Sequence, residues 1–365
     1  MSMNKKILIF GAGAIGRGYL APLLYQNGFH SIDFVDINKQ LIKKLKNKKY
    51  YFAAITEKFK YKTLKIPINK VFHLSEKINI KKYEIVFSCV GPKNCLSLNK
   101  IFREAKCVIS CENDITTVEK LKKLSGNKKI YFGIPDVITS SSPPQFLKKK
   151  YDLNLTITEK GELILEKGQY ALPKKIKQVN KENLNMHWRC KLFIHNAAHA
   201  ITAYLGHLNN KKYIHEAMQN PKISKVVHGS INEITEGVIN AEYASKKFAN
   251  YYKRKELKRF KNKLLFDTIG RVAREPIRKL SKDNRIVLGL KICLFNKKLP
   301  RNVALGAKAA LYYNNKKDVE ALTLMNMRKK YGDKQTLENI CSIEKLDPLN
   351  NFIVKQNLEI FKNGR

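Results

Sequence analysis

The first 36 residues constrain this chain more than any other stretch. Lys6 to Phe10 is a short apolar run, KILIF, and it leads directly into Gly11-Ala12-Gly13-Ala14-Ile15-Gly16. Apolar residues then recur at helical intervals through Leu24, and a second short run, Ser31 to Val35, ends at Asp36. Strand, glycine loop, helix and strand in this order begin a βαβ unit of a parallel sheet. Each position has a job if the loop holds a dinucleotide. Gly11 permits the tight turn, Gly13 lets a pyrophosphate approach the backbone, and Gly16 lets the helix pack closely. Ala14 and Ile15 complete the candidate cofactor loop. Asp36, twenty residues past Gly16, is placed to accept from both ribose hydroxyls and to repel a 2′-phosphate, which favours NAD over NADP. The competing reading is that these glycines only shape a βαβ turn.

Further strands are expected at Tyr83 to Val90 and Ala105 to Ser110, the first stopped by Gly91-Pro92 and the second running into Cys111-Glu112-Asn113. Ligands of such sheets lie beyond the carboxyl ends of the strands, so Val90, Gly91 and Asn113 fall where a nicotinamide and its substrate would sit. Asn113 could equally be an ordinary turn residue. From about Tyr151 the pattern alternates, with a hairpin expected around Lys160-Gly161, so the parallel sheet gains an antiparallel extension. Beyond it, His187 to Leu205, Tyr213 to Met218, Ile223 to Asn250 and Arg301 to Tyr313 carry helical periodicity. The expected architecture is α/β. A Rossmann-type nucleotide-binding domain would cover residues 1–184, and a mainly α-helical catalytic domain residues 185–365. A length of 365 residues agrees with two cores.

The net charge of +41 invites a nucleic-acid reading, but the lysines are spread along the whole chain. They would attract anionic small molecules, and no specific nucleic-acid partner is expected. The seven cysteines form no CxxC pair, as in a reduced compartment. No apolar run of membrane length is present and the chain starts straight into a strand, so no membrane association and a cytoplasmic location are expected.

Six of the eight histidines lie between positions 187 and 228. Within that stretch, Lys191-Leu-Phe-Ile-His-Asn196-Ala-Ala-His199 is the most informative. On an α-helix His199 lies about 80° and Asn196 about 140° around from Lys191, so the three could line one broad face. A helix with scattered buried polar residues is the plainer alternative. A buried lysine is expensive unless paired or neutralised, which favours a functional cleft. His195 and His199 are spaced as a metal pair, but HNAAH lacks the glutamate of HExxH and no third ligand is evident, so no metal is expected. The basic run Lys253 to Lys263 reads as a solvated helix face.

These residues carry a resemblance. The stretches IFGAGAIGRGYLAPLL, VFSCVGPKN, SCEN, KLFIHNAAHAITAYLG and GRVAREPIRKLSKDNR resemble, over essentially the whole chain, the polyol-specific long-chain dehydrogenases, the mannitol dehydrogenase family. The last stretch resembles the branch with phosphorylated substrates. The resemblance implies metal-independent hydride transfer between NAD and a sugar phosphate, interconverting D-mannitol 1-phosphate and D-fructose 6-phosphate. It implies Lys191 as general acid/base, Asn196 and Asn113 holding the oxygen that becomes carbonyl, and His199 positioning a substrate hydroxyl. Arg274 and Arg278, within the basic segment Arg271 to Arg285, would bind the phosphate, Arg274 most directly; Pro276 bears on whether they share a helix face. Glu162 matches a family glutamate that either binds a hydroxyl or supports its strand. Members are often monomers, and a monomer is the expectation. Two departures bear on the substrate: Val137 replaces the arginine of an Asp-Arg pair, and Asp114 follows Asn113. Another phosphorylated polyol or sugar acid is the alternative substrate. A catalytically silent nucleotide- or polyanion-binding protein is the alternative class.

Overall fold

A computed structural model describes the chain except for residues 1–4, 59, 142, 152–153, 171, 174–175 and 362–365. It divides into two compact units, Met1–Trp188 and Arg189–Arg365. The first is α/β and the second is mainly helical.

The strands of the first unit are β1 (Lys6–Phe10), β2 (Ser31–Asp36), β3 (Tyr50–Glu57), β4 (Lys60–Pro67), β5 (Val71–His73), β6 (Ile85–Ser88), β7 (Val108–Ser110), β8 (Ile130–Asp136), β9 (Thr139–Ser140), β10 (Thr156–Glu159), β11 (Glu162–Glu166) and β12 (Lys177–Val179). Eight form one sheet in the order β12-β11-β8-β7-β6-β1-β2-β5. From β8 to β5 every pairing is parallel. β11 joins β8 antiparallel, and β12 follows β11 in parallel. The central strands read as continuous apolar runs because both of their faces are covered. Ile7, Leu8, Ile9, Phe34, Val86 and Phe87 are all wholly buried.

A second sheet, β4-β3-β10-β9, corrects the expected hairpin at Lys160-Gly161. β10 and β11 are neighbours in sequence but do not pair: β10 joins β3 and β9, whereas β11 joins β8. Gly161 carries the chain from one sheet to the other. A Cβ there would lie 2.6 Å from that of Val137 and 2.7 Å from the Asp136 carbonyl oxygen, so only glycine fits.

In the second unit the stretch expected as one helix from Ile223 to Asn250 is two, Pro221–Asn240 and Lys246–Phe260. Each has its own N-cap, Asn220 accepting from Lys222 N and Ile223 N, and Ser245 from Phe248 N. Arg285–Cys293, Arg301–Leu311, Val319–Cys341 and Pro348–Val354 complete the longer helices. Among the described residues no helix is long and apolar enough to cross a membrane.

Candidate active site

In the first unit the glycine loop leaves β1 through Gly11, whose φ of +94° favours glycine. A Cβ at Gly16 would overlap the Gly11 carbonyl oxygen, so the following helix packs directly on the loop. At Gly13 the opposite holds. Among the described residues nothing lies within 4 Å of where its Cβ would be. The loop is thus tight at both ends and open in the middle, the shape a pyrophosphate needs. Ala14 and Ile15 form the turn into the helical stretch Gly16–Leu20 and Ala21–Gln26.

Asp36 ends β2 and grips this loop. One carboxylate oxygen accepts from Ala12 N and the other from Asn38 N, both at 2.8 Å. A carboxylate has about four acceptor positions, so it retains capacity for ribose hydroxyls. Arg17 was not anticipated from the sequence. It is buried, with Nε donating to the Ala12 carbonyl at 3.1 Å and Nη1 to the Asn154 carbonyl, while the Tyr51 hydroxyl donates to the Arg17 carbonyl at 2.6 Å. An arginine among loop glycines is the only sequence sign of this strap.

Glu112 holds the second loop. Buried just beyond β7, it accepts from Ser88 Oγ at 2.8 Å, Val90 N at 2.9 Å and Gly91 N at 2.8 Å. Burial pushes its carboxyl upward, and the bonds from Ser88, Val90 and Gly91 oppose that shift without cancelling it. Asn113 follows, with an exposed side chain. The two departures from the family pattern have structural jobs. Asp114 Oδ1 accepts from Thr116 N and Oγ1, both at 2.9 Å, at the start of the helix Thr116–Ser125. Val137 is buried in the apolar core. Glu162 is exposed at the first position of β11, opposite Asp136 in the register.

In the second unit the Lys191 segment is not an α-helix. Lys191–Ala197 is π-helical and Ala198–Leu208 is α-helical, so the angles drawn for an α-helix do not apply. The wider turn is a feature often found at functional sites. Lys191, His195, Asn196 and His199 are all buried. Asn196 Nδ2 has no hydrogen-bond partner among the described residues, and an orphaned buried amide donor costs about 1–3 kcal/mol. A ligand oxygen would relieve it.

Each histidine meets its own carboxylate. His195 Nδ1 lies 2.5 Å from Glu256 Oε2, and Arg259 Nη1 donates to Glu256 Oε1 at 2.6 Å. His199 Nε2 lies 2.8 Å from Asp267 Oδ2, and Arg271 Nε donates to Asp267 Oδ1 at 3.1 Å. Phe260 packs on both rings, stacked on His199 with centroids 5.1 Å apart. Burial lowers His195 to about 4 despite Glu256, and burial likewise lowers His199 despite Asp267. Both imidazoles are therefore neutral at pH 7. Glu256, Arg259 and Phe260 are buried, which corrects the reading of Lys253 to Lys263 as a solvated face. The signal was Glu256 itself, the lone acid in that basic run. Among the described residues no group of three or more His, Cys, Asp or Glu is arranged to hold a metal.

The basic segment is broken. The helix Ile269–Ala273 ends at Arg274, Glu275 has φ +62°, and a new helix, Pro276–Leu280, begins at the proline. Arg274 and Arg278 therefore do not share one helix face, but both reach Glu275, at 3.5 and 2.7 Å. Lys279 is only 4% exposed. Burial, then Arg285 and Arg278, push its amine down to about 6. Burial and Arg278 also lower Arg285, to about 10. The phenol of Tyr204, on which Arg285 acts electrostatically, is buried with no hydrogen-bond partner among the described residues. Two arginines and a buried amine beside an orphaned hydroxyl suit an anion.

Family models match both halves: the mannitol dehydrogenase Rossmann domain over residues 5–129 and the mannitol dehydrogenase C-terminal domain over residues 183–348. The chain belongs to the mannitol dehydrogenase family. This member is 30% identical to a mannitol-1-phosphate 5-dehydrogenase of Clostridium acetobutylicum, over 98% of this chain and 100% of that one. It is 32% identical to one of Buchnera aphidicola subsp. Baizongia pistaciae, over 92% and 94%. In fold this mannitol dehydrogenase relative resembles Pseudomonas fluorescens mannitol 2-dehydrogenase in its ternary complex with NAD and D-mannitol. The TM-score is 0.74 at 15% identity, covering 96% of this chain and 90% of that one.

Proposed function

We propose that this member of the family is an NAD-dependent mannitol-1-phosphate 5-dehydrogenase, interconverting D-mannitol 1-phosphate and D-fructose 6-phosphate. The observation that carries this is the unpartnered Asn196 Nδ2, buried on the same π-helical segment as Lys191. It is a buried donor without an acceptor among the described residues, on one segment with a buried lysine, in a chain whose full-length relatives bear that name.

Gly11, Gly13, Ala14, Ile15 and Gly16 would cradle the pyrophosphate of NAD, and Asp36 its adenosine ribose. Val90 and Gly91, held by Glu112, would line the nicotinamide side. NAD, when bound, supplies the hydride acceptor. Everything else falls to side chains. As hydride leaves carbon, the hydroxyl proton must leave oxygen, so Lys191 Nζ must be neutral to take it; in reduction the same amine returns it. The Asn196 amide donates to that oxygen and stabilises the charge it develops. His199 accepts from a substrate hydroxyl. Arg274 and Arg278, together with Lys279 and Arg285, hold the phosphate. Glu162 either binds a hydroxyl or supports its strand.

The test is NADH consumption with fructose 6-phosphate, unphosphorylated fructose, other ketose phosphates and ketoacids. The highest kcat/KM is expected with fructose 6-phosphate. Turnover of fructose at an equal or higher kcat/KM overturns the phosphate assignment, and activity confined to a ketoacid overturns the polyol assignment.

A further inference from the structure

His199 has two ring nitrogens, and the surroundings of one determine what the other can do. Nε2 faces Asp267 Oδ2 at 2.8 Å, and among the described residues no other hydrogen bond to the ring is found. Asp267 is buried, and Arg271 engages its other oxygen through both Nε and Nη2. Burial alone would raise the Asp267 carboxyl, but Arg271 and His199 outweigh it and hold the group well below the ordinary carboxylate range. The carboxylate is therefore charged and can only accept. A neutral imidazole facing it must carry its proton on Nε2, leaving a bare lone pair on Nδ1.

We infer that Asp267 is a positioning residue for the reaction: held ionised by Arg271, it fixes His199 as the Nε2–H tautomer, so that Nδ1 presents an acceptor to a substrate hydroxyl. This rests on the reading above that His199 meets the substrate. The neighbouring histidine shows that the tautomer is set locally. His195 offers Nδ1 to Glu256, so its proton belongs on Nδ1, the opposite choice, on the preceding turn. Phe260 packs against both rings and leaves each little freedom to turn.

Asp267→Asn inverts the arrangement with few atoms changed. Arg271 retains its acceptor only if the amide oxygen turns toward it, which points the amide N–H₂ at His199 Nε2. That nitrogen must then accept, the proton moves to Nδ1, and the site offers the hydroxyl a donor where it needs an acceptor. Removing the comparable carboxylate in a serine protease acts through the same tautomer error.

The experiment combines ¹⁵N-detected imidazole spectra of the unliganded protein with steady-state kinetics. The spectra should place the wild-type His199 proton on Nε2 and move it to Nδ1 in Asp267→Asn. With fructose 6-phosphate, kcat/KM should fall roughly 10- to 100-fold in that variant, the usual scale for one mismatched buried hydrogen bond. In a His199→Ala background the same substitution should change kcat/KM by less than about 3-fold, because its target is gone. A wild-type proton on Nδ1 overturns the inference without any variant needing to fold. So does an equal loss from Asp267→Asn with and without His199, which marks a structural role. Full turnover by His199→Ala overturns the underlying reading of His199 instead, and the wild-type spectrum tells the two failures apart.

Discussion

Lys279→Met should stabilise this protein while weakening its grip on a phosphate. Lys279 is 4% exposed. Its amine is pushed down to about 6 from 10.5 by burial, then by Arg285 and Arg278, with Glu275 opposing and Arg274 adding to the effect. At pH 7 folding must strip the proton from an amine that holds it up to 10.5 when unfolded. Each intervening pH unit costs about 1.4 kcal/mol, for a total of about 5 kcal/mol. Methionine follows a similar path without the charge and gives back about 1 kcal/mol in imperfect packing. A gain of about 3–4 kcal/mol at pH 7 follows, or roughly 10 °C in Tm for a unit of this size. The sign with pH is fixed by linkage. Between about 6 and 10.5 the unfolded chain binds the proton and the folded chain does not. The wild-type penalty is therefore greatest below pH 6 and shrinks as pH rises, and the advantage of the variant should drop by about 3 kcal/mol between pH 7 and 9. Thermal and urea denaturation at both pH values measures this. Saturating fructose 6-phosphate should raise the Tm of wild type more than that of the variant. A variant less stable than wild type at pH 7, or one whose advantage is the same at pH 9, refutes the reasoning.

The remaining predictions concern chemistry and cofactor. Lys191→Ala should lower kcat by roughly 10²- to 10⁴-fold, the range for a positioned proton-transfer group, with NADH affinity nearly unchanged by fluorescence titration; near-wild-type kcat in folded protein ends that mechanism. Asp36→Ala should erode the preference for NADH over NADPH in kcat/KM. Because Asp36 also receives Ala12 N and Asn38 N, the variant should also lose about 1–2 kcal/mol of stability in urea titrations. Arg274→Ala should reduce kcat/KM for fructose 6-phosphate far more than for fructose; equal losses assign Arg274 to structure alone, through Glu275.

Much of this was legible in the residues because it depends on local order along the chain. The strand, glycine loop and strand ending in Asp36 prescribe a parallel βαβ start whatever packs around it, and the long periodic segments after residue 185 prescribe helices. Lys191, Asn196 and His199 stand out because polar groups at that spacing in an apolar helix need a reason. What the sequence could not decide was which distant groups complete these local features. The strand after Gly161 leaves its sequence neighbour for β8, a choice made by competing sheet edges and not by the alternation that both strands share. The π-helical turn at Lys191 and the break of the expected helix after Asn240, where Ser245 caps a new helix, come from packing and from single hydrogen bonds. Arg17, Glu112, Glu256 and Asp267 sit in sequence as ordinary charges. Each gains its meaning only when folding buries it against a partner that must be satisfied. Asp267 meets His199 across 68 residues and Glu256 meets His195 across 61. Periodicity carries no information about such meetings, because a buried charge is set by the whole of its surroundings and a motif only by its neighbours in the chain.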